Sequence, residues 1–360
     1  MGFEIGTVIH GVCRAFRPAA YLFIPVLKIK DRAADGGMMH RALEEKLSIF
    51  LTGEQKKDAR YVRRIRRDLW YSFLVYQCPF TEYFLFQFEK LSHRGRLTFV
   101  CDHEREAVCR RLTPPALWAQ FENKYNTYKL FHEFYGREAI LVDEGSDDAE
   151  FYRYIEAHPR CIVKPLNESC GHGVFIYDRD KDGRAPAALL DELRPEPYII
   201  EEVIRQAEPM ARLHPASVNT VRCATFMTEH GPEIIFTFLR IGQAGSVVDN
   251  AGAGGIVASV DMQTGVVETV GRMENGRSYI FHPDSGCQIL GMQLPHWDEL
   301  RALGLTLAER LPEQKYISWD FALTEDGWVV VEGNCAGQFV CPQLTTRQGI
   351  RARLRPYFGV

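Results

Sequence analysis

The sequence lacks several features that would assign it to a special class of protein. Its ten cysteines include no CxxC pair, which argues against a zinc site or a disulfide framework and fits a reducing cytoplasm. No stretch reaches the ~18–20 uninterrupted apolar residues of a membrane span. The net charge of −4 gives no overall attraction to nucleic acid. We therefore expect a globular, cytoplasmic protein with no nucleic-acid partner.

The chain is long enough for more than one folding unit. Its 360 residues exceed the size at which a single core stops growing. Residues 1–95 are predicted to be helical. Within them, Met38–Leu51 has apolar residues at helical spacing, and Thr81–Leu91 is rich in aromatics. Thr52–Gln55 matches a capping box for a helix that runs to about Gln77.

Two N-terminal features leave alternatives open. Thr7–Lys30 is apolar but is interrupted by arginines and prolines. It either packs against the body of the protein, which we favour, or lies on a membrane surface. The helix after the capping box carries many Lys and Arg residues between Lys56 and Arg67. These form either a polyanion-binding patch or a solvated helix face, and the acidic chain favours the solvated face.

From Leu97 onward, short strands alternate with helices, which is typical of an α/β or α+β region. Leu97–Cys101 is predicted to be a short strand. Arg160–Pro165 and Val174–Tyr177 are predicted to form a hairpin whose tip is rich in small residues. Backbone N–H groups in such a tip can close over phosphates, and Lys164 at the end of the first strand can neutralise one of them.

The second half of the chain adds further polar candidates. Tyr198–Ile204 is a predicted strand that leads into acidic residues, where hinge backbone groups suit adenine and Glu208 suits a ribose. Two long strands follow and carry Arg222 and Arg240, which serve either in catalysis or in an ion pair. Asp249-Asn250 precedes a glycine-rich stretch and either contacts a substrate or makes a turn.

Near the C-terminus, Trp319–Asn334 is predicted to form a β-hairpin with its turn at Glu325-Asp326-Gly327. Antiparallel pairing would bring Asp320 beside Glu332 and Asn334. The last two share a face because side chains alternate along a strand. Two carboxylates and an amide oxygen suit Mg²⁺, which takes its other ligands from water and phosphates. The alternative is a surface hairpin that ends in a polar turn.

Taken in order, these segments resemble an ATP-grasp enzyme over roughly residues 96–345, and more narrowly the sugar-transfer-associated ATP-grasp group. The motifs that carry the resemblance are Ser217–Arg222, Val248–Asn250 with Gly254-Gly255, His282–Asp284, and Trp319-Asp320 through Glu332–Asn334. The resemblance implies an α+β, ATP-grasp fold, in which two lobes clamp ATP. Residues 1–95 would be the helical N-terminal region, 96–197 the first lobe with the phosphate-loop hairpin, and 198–360 the second lobe with the metal site.

The resemblance also implies a role for each candidate residue. Lys124 and Lys164 would reach the ATP phosphates, Glu201 and Glu202 with the Val203 backbone would hold adenine, and Glu208 would hold the ribose. The remaining expected contacts are Ser169, Gly171 and Gly173 to the nucleotide, Asp320, Glu332 and Asn334 to Mg²⁺, Asn219, Asp249 and Asn250 to the substrate, and Arg222, Arg240 and His172 in catalysis.

The chain departs from the family pattern at one position. Many ATP-grasp ligases place an arginine two residues before the metal-binding aspartate, and this chain has Ser318 there. Arg222 or Arg240 is expected to supply the missing charge. His172 is either a general base, a phosphate contact or an ordinary loop residue.

By resemblance, the expected activity is ATP-dependent ligation of a small-molecule carboxylate to an amine through an acyl phosphate. The group's name extends this to sugar-linked substrates and surface-polysaccharide biosynthesis. Two alternatives stay open: a kinase that uses the same ATP site, and a non-catalytic scaffold that docks on a glycosyltransferase through residues 1–95. A peripheral membrane association of the N-terminus is also open.

Overall fold

The structure is a computed structural model that describes residues 2–34, 36–166 and 173–360. Its helices are α1 (Gly2–Ala15), α2 (Ala19–Ala34), α3 (Met38–Phe50), α4 (Gly53–Lys57), α5 (Ala59–Tyr76), α6 (Phe80–Leu85), α7 (His93–Arg96), α8 (Asp102–Leu112), α9 (Pro115–Glu122), α10 (Lys124–Phe131), α11 (Asp148–Ala157), α12 (Pro186–Leu193), α13 (Glu208–Ala211), α14 (Trp297–Glu309), α15 (Val340–Thr346) and α16 (Arg351–Phe358). Its strands are β1 (Ala139–Val142), β2 (Arg160–Pro165), β3 (Phe175–Asp178), β4 (Tyr198–Glu202), β5 (Thr220–Thr228), β6 (Gly231–Ile241), β7 (Ile256–Ser259), β8 (Gly271–Arg272), β9 (Ser278–Tyr279), β10 (Tyr316–Thr324) and β11 (Gly327–Asn334).

The chain divides into two compact units. The first contains Met1–Val108, Glu274–Arg277 and Gln338–Val360, and the second contains Cys109–Met273 and Ser278–Gly337. The first unit is helical, and the second holds both β-sheets. Among the described residues, no helix has the length and apolarity needed to cross a membrane.

The capping box in the first unit is present, but it opens a shorter helix than predicted. The Thr52 side chain accepts a bond from the Gln55 backbone, and the Gln55 side chain accepts one from the Thr52 backbone. The helix ends at Lys57 because Asp58 adopts an extended conformation and caps α5 instead. Helix α5 then buries Leu69, Trp70 and Leu74, so the predicted single helix is two helices joined at an acidic cap.

The predicted strand at Leu97–Cys101 is wrong. The backbone there makes turn-type bonds, with Thr98 N–H donating to Gly95 and Phe99 N–H donating to Arg96. No strand of the described residues pairs with Val100, and a side chain bonds its backbone instead. The Gln343 amide accepts from the Val100 N–H at 2.9 Å and donates to the Val100 carbonyl at 2.8 Å. A buried glutamine thus satisfies the groups that a neighbouring strand would satisfy.

The smaller sheet of the second unit is antiparallel with the strand order β1-β4-β2-β3. Helices α11 and α12 supply the other half of its core through Phe151, Ile155 and Leu190, which pack with strand residues such as Val163. Strand β4 belongs to this sheet, so the sheet continues to Glu202, past the predicted lobe boundary at 197. The predicted hairpin of β2 and β3 pairs from Arg160 opposite Asp178 to Val163 opposite Phe175.

The larger sheet has seven strands in the order β11-β10-β5-β6-β7-β8-β9. Its central strands are almost entirely buried, and Trp319 and Phe321 on β10 are fully enclosed together with Leu300 of α14. The predicted hairpin of β10 and β11 is confirmed, with Asp320 opposite Glu332 and Ser318 opposite Asn334. A bulge follows Asp320. Bulges turn side chains locally, and this one lies where the polar residues of the hairpin gather.

Candidate active site

A cluster of charged residues lies on one face of the seven-stranded sheet. Asp320 on β10 lies opposite Glu332 on one neighbouring strand and opposite Arg222 on the other. Directly opposed residues of antiparallel strands point to the same face. Arg222 donates to both carboxylate oxygens of Asp320, the second at 2.6 Å, and Arg240 donates to the same carboxylate at 3.0 Å. The two predicted catalytic arginines therefore converge on one predicted metal ligand.

Arg240 connects this cluster to Asp249. Its guanidinium donates to Asp249 Oδ1 at 3.1 Å and to the Thr220 hydroxyl at 3.0 Å. The other oxygen of Asp249 accepts from the backbone and hydroxyl of Thr220 at 2.9 and 2.5 Å. Asp249 and Arg240 are both buried, so the turn before the glycine-rich stretch is fixed to the sheet by a charged network.

The electrostatics of the cluster keep Asp320 ionised. Burial alone would raise its pKa, since only 1% of the residue is exposed. The adjacent Arg222 and Arg240 outweigh burial and hold the pKa of Asp320 below its usual value. Oδ1 accepts one of the three bonds from the arginines and Oδ2 accepts two, so one lone pair of Oδ1 is left for a further partner.

The residues at the end of β11 fit a divalent cation. Glu332 lies opposite Asp320, and among the described residues the buried amide nitrogen of Asn334 and hydroxyl of Ser318 have no hydrogen-bond partner. Buried polar atoms without partners call for a missing ligand or water. A half-turn of the Asn334 amide places its oxygen where the nitrogen lies. With Asp320, the donor set is then two carboxylates and an amide oxygen, as Mg²⁺ prefers.

A second charged cluster lies on the four-stranded sheet around Glu201. The Lys164 ammonium donates to Glu201 Oε1 at 2.8 Å, and Arg137 contacts Oε2 at 2.5 Å. Glu201 is 3% exposed. Burial by itself would raise its pKa, but the charges of Arg137 and Lys164 lower the pKa to about 2. Glu201 is therefore an anion at neutral pH and holds the Lys164 ammonium beside β4.

Arg137 was not anticipated from the sequence. Besides Glu201, it donates to the backbone carbonyls of Val330 at 2.6 Å and Val331 at 3.2 Å, so one side chain joins β4 to β11. Gly136 before it has a φ of +57°, and an added Cβ would lie 2.8 Å from Val329. The partners of Arg137 are far away in the sequence and leave no local pattern. The one local sign that this position is special is the glycine that precedes it, ahead of a strand.

The other predicted phosphate-binding residues lie around the exit of β2. Lys124 begins α10, and its ammonium donates to the carbonyls of Pro165 at 3.0 Å and Leu166 at 3.2 Å. Lys124 and Lys164 therefore meet at the same strand end. Gly173 has a φ of +69°, and a Cβ there would lie 2.8 Å from Pro165, so this position requires glycine. The predicted contacts Ser169, Gly171 and His172 lie outside the described residues.

The predicted adenine and ribose contacts separate in space. Glu201 and Glu202 alternate faces on β4, and Glu202 accepts from the Glu138 backbone at 2.7 Å and contacts His158 at 3.0 Å. Val203 follows the strand and is partly exposed, and Glu208 is exposed at the first position of α13. The two glutamates therefore do not face one ligand together, whereas the backbone after Glu202 and the Glu208 carboxylate are accessible.

Two of the predicted substrate residues have structural partners. Asn219 is fully buried, and its amide donates to Met210 and His214 carbonyls and accepts from Gly242 N–H. Asn250 caps a short 3-10 helix by accepting from Gly252 N–H at 2.9 Å. The hydrogen bonds of these two side chains hold the loops near the arginine cluster in place.

His282 in the His-Pro-Asp segment is also a structural residue. Its Nε2 bonds the Gly242 carbonyl at 2.8 Å, and its Nδ1 accepts from the Asp284 and Ser285 N–H groups. Burial lowers its pKa, which favours the neutral ring that this bonding pattern needs. Asp284 accepts from Ala244 N–H at 2.6 Å, so the segment anchors the loop that follows β6.

Residues 104–357 match the family described as sugar-transfer associated ATP-grasp. The chain belongs to this family. The match covers well over half of the chain and confirms the predicted ATP-grasp fold class, with its mixed helices and sheets and a helical N-terminal region. A comparison with curated proteins gives no match.

Several solved structures are similar to this ATP-grasp chain at low identity. A D-cycloserine synthetase matches with 13% identity and a TM-score of 0.42 over 70% of this chain and 76% of that one. A RiPP-associated ATP-grasp ligase from Chryseobacterium gregarium, solved with ADP and a leader and core peptide, matches with 13% identity and a TM-score of 0.40. The match covers 75% of this chain and 71% of that one. The D-alanine–D-alanine ligase from Coxiella burnetii matches with 10% identity and a TM-score of 0.39. The match covers 64% of this chain and 54% of that one, so the chain spans about half of that ligase's length.

Proposed function

We propose that this ATP-grasp chain is an ATP-dependent ligase that joins a small-molecule carboxylate to an amine. The observation that supports this most is that each of the two sheets carries its own set of cationic side chains. Two lysines gather at the end of β2, and two arginines share a buried carboxylate on the larger sheet beside Glu332. Phosphoryl transfer needs such a set of fixed cations around the transferred group.

For the nucleotide, we assign Lys124 and Lys164 to the phosphates. The Lys124 ammonium contacts the carbonyl of Pro165 at the end of β2, and Lys164 lies on the same strand with its ammonium held by the Glu201 carboxylate. The accessible backbone at Val203 suits adenine, and the exposed carboxylate of Glu208 suits the ribose hydroxyls. Glu201 and Glu202 are then positioning residues, since their side chains already have partners within the chain.

For the metal, Asp320, Glu332 and Asn334 would hold Mg²⁺. Bound there, the ion would neutralise charge on the β- and γ-phosphates. The pKa of Asp320 below its usual value ensures an anionic ligand at neutral pH. Among the described residues the Asn334 amide nitrogen has no hydrogen-bond partner, so turning this amide towards a metal would break no contact of that nitrogen.

The reaction we propose has two steps. An oxygen of the substrate carboxylate forms a bond to the γ-phosphorus while the bond to the β–γ bridging oxygen breaks, which gives an acyl phosphate and ADP. The amine nitrogen then bonds to the acyl carbon, phosphate leaves, and the amine loses a proton. Arg222 and Arg240 would stabilise the transferred phosphoryl group and the tetrahedral oxyanion, in place of the arginine that Ser318 replaces.

The family's association with sugar transfer favours an amino sugar or another sugar-linked amine as acceptor. Asp249 is the candidate for contacting this substrate, because its position is fixed by Arg240 and Thr220 at the edge of the charged cluster. A role in surface-polysaccharide biosynthesis in the cytoplasm, including association with a glycosyltransferase, is part of the same proposal.

The test is an ADP-release screen of amino acids and related acids against amines and amino sugars, with mass spectrometry of the product. We expect ADP release that needs both substrates and a product whose mass equals acid plus amine minus water. The Glu332→Gln variant should lose about a hundredfold in rate without a change in melting temperature. Glu313→Gln, at an exposed position of the same unit, is the matched control.

Two outcomes would contradict the proposal. ADP release without any amine, with a stable phosphorylated product, would identify a kinase. Unchanged turnover in Glu332→Gln would mean that the metal site lies elsewhere.

A further inference from the structure

We propose that the outer surface of α1 and α2 docks on an anionic lipid bilayer. This surface carries an unusual number of exposed large apolar side chains at helical spacing. Val8 is 66% exposed, Val12 43% and Phe16 63%. On the second helix, Leu22 is 74% exposed, Val26 57% and Ile29 68%. Contiguous apolar surface of this kind marks an interaction site on a folded protein.

Packing within the first unit does not explain these residues. The inner faces of the two helices are already apolar and buried at Cys13, Ala20 and Ile24. Helix α1 packs against α5, and α2 packs against α3 and α5. A helix at the surface of a globular protein needs one apolar face to pack and a polar face for water. Helices α1 and α2 instead have apolar residues on the inner face and on the outer face.

The charges on the outer surface indicate that its binding partner is anionic. Arg17, Lys28, Lys30 and Arg32 are exposed there. The one acidic residue within 8–33 is Asp31, which is buried and caps α3 by accepting from the Met39 and His40 backbones. An otherwise acidic chain, with a net charge of −4, thus presents a basic and apolar surface here. Each basic residue close to an anionic membrane contributes roughly 1 kcal/mol.

The lengths and side chains of the helices suit a helix pair that lies in the membrane interface. Helices α1 and α2 have 14 and 16 residues, shorter than the ~20 needed to span the hydrocarbon. Aliphatic residues with exposed aromatics such as Phe16 and Tyr21, bordered by Lys and Arg, are the composition of interfacial helices. We infer that the apolar residues enter the boundary between headgroups and acyl chains while the basic residues contact lipid phosphates.

The experiment is co-sedimentation of the full chain with vesicles of phosphatidylcholine, either alone or mixed with phosphatidylglycerol. We expect binding to the mixed vesicles that weakens as salt is added. The double variant Leu22→Ser/Ile29→Ser should lower the partition coefficient about tenfold or more. Lys28→Gln/Lys30→Gln should lower it about tenfold, on the mixed vesicles only. Ile280→Ser, at another exposed isoleucine (51%), is the control that should bind like the wild type.

Three results would overturn the proposal. One is a folded wild-type chain, checked by circular dichroism, that stays in the supernatant with mixed vesicles at low salt; the surface would then fit a protein partner. Another is binding that the Leu22→Ser/Ile29→Ser variant retains to the same extent as Ile280→Ser. The third is a wild-type dimer in sedimentation velocity that the double variant converts to a monomer, because the occupant would then be a second copy of the chain.

Discussion

Replacing Arg137 by methionine tests the charged network that joins the two sheets. Arg137 and Glu201 are both nearly fully buried, with 3% of each side chain exposed. Removing one partner of a buried ion pair typically costs 3–5 kcal/mol, and here Lys164 stays beside Glu201 and limits the loss to the lower end of that range. Arg137→Met also leaves the Val330 and Val331 carbonyls without their donor. We therefore expect at least about 3 kcal/mol of local destabilisation around β4 at neutral pH.

The pH dependence of this effect follows from the pKa of Glu201, which is lowered from 4.5 to about 2. A lowered carboxyl pKa stabilises the folded state above about pH 5, and this contribution, on the order of 3 kcal/mol, is lost as the pH falls towards 2. In Arg137→Met, burial raises the pKa of Glu201 and only Lys164 still lowers it. Acidification therefore protonates Glu201 at a higher pH in the variant than in the wild type, which reduces the cost of the substitution. The difference between wild type and variant should shrink from pH 7 to pH ~4.

The assay is hydrogen exchange with mass spectrometry on a peptide that covers β4, which reports the local opening free energy. The double variant Arg137→Met/Glu201→Gln should recover part of the loss, because the buried carboxylate is gone, while Lys164 loses its partner where 15% of its side chain is exposed. Arg153→Met, at an exposed position of α11, is the control. A cost below about 1 kcal/mol for Arg137→Met, or no recovery in the double variant, would refute the reasoning.

Three further predictions concern other contacts. Gln343→Ala leaves two buried backbone groups of Val100 unpaired and should cost about 2–4 kcal/mol, seen as faster hydrogen exchange at Val100. Gly333→Ala places a Cβ 2.7 Å from the Trp319 ring and should lower the melting temperature by several degrees, from about 1–3 kcal/mol of overpacking. Lys124→Met should weaken Mg·ATP binding about tenfold or more in calorimetry, because a charged donor to the phosphates is lost.

Each of these has a matched control. Gln348→Ala and Lys129→Met change exposed side chains in the same segments, and a Cβ at Gly53 meets no atom within 4 Å. If Gln343→Ala matches Gln348→Ala, the account of Val100 fails. A Gly333→Ala melting temperature equal to that of Gly53→Ala, or an unchanged ATP affinity in Lys124→Met, would contradict the other two.

Local patterns in the sequence predicted local structure well. The apolar runs on either side of Gly327 were enough to predict the hairpin and to bring Asp320 near Glu332. Their exact pairing depends on the bulge after Asp320, because regular pairing from the turn would place Asp320 opposite Val331. The Thr52 capping box was equally readable, since its two partners are three residues apart. The predicted helix was too long because Asp58 caps a second helix, α5. Two capping residues close together in the sequence define two helix starts, and the prediction used only the first.

Contacts between distant residues could not be predicted in this way. Leu97–Cys101 reads as a strand because it is apolar, but Val100 is paired by Gln343, which lies 243 residues away. Arg137 likewise finds its partners 64 and 193 residues away. Arg222 and Arg240 were predicted on two strands, now β5 and β6, but nothing in the sequence indicated that both would bind Asp320. That contact depends on the register of three neighbouring strands, β10, β5 and β6.

The central claim is that the lysine pair, the arginine cluster and the β10–β11 hairpin form a site for Mg·ATP. The most direct measurement is the melting temperature of the chain with Mg²⁺ alone and with Mg·ATP. A ligand at 100 times its Kd adds roughly 2.7 kcal/mol of stability, so we predict a rise of several degrees in the wild type and a much smaller rise in Glu332→Gln. An equal melting temperature with and without millimolar Mg·ATP, in a chain that unfolds cooperatively, would contradict the claim.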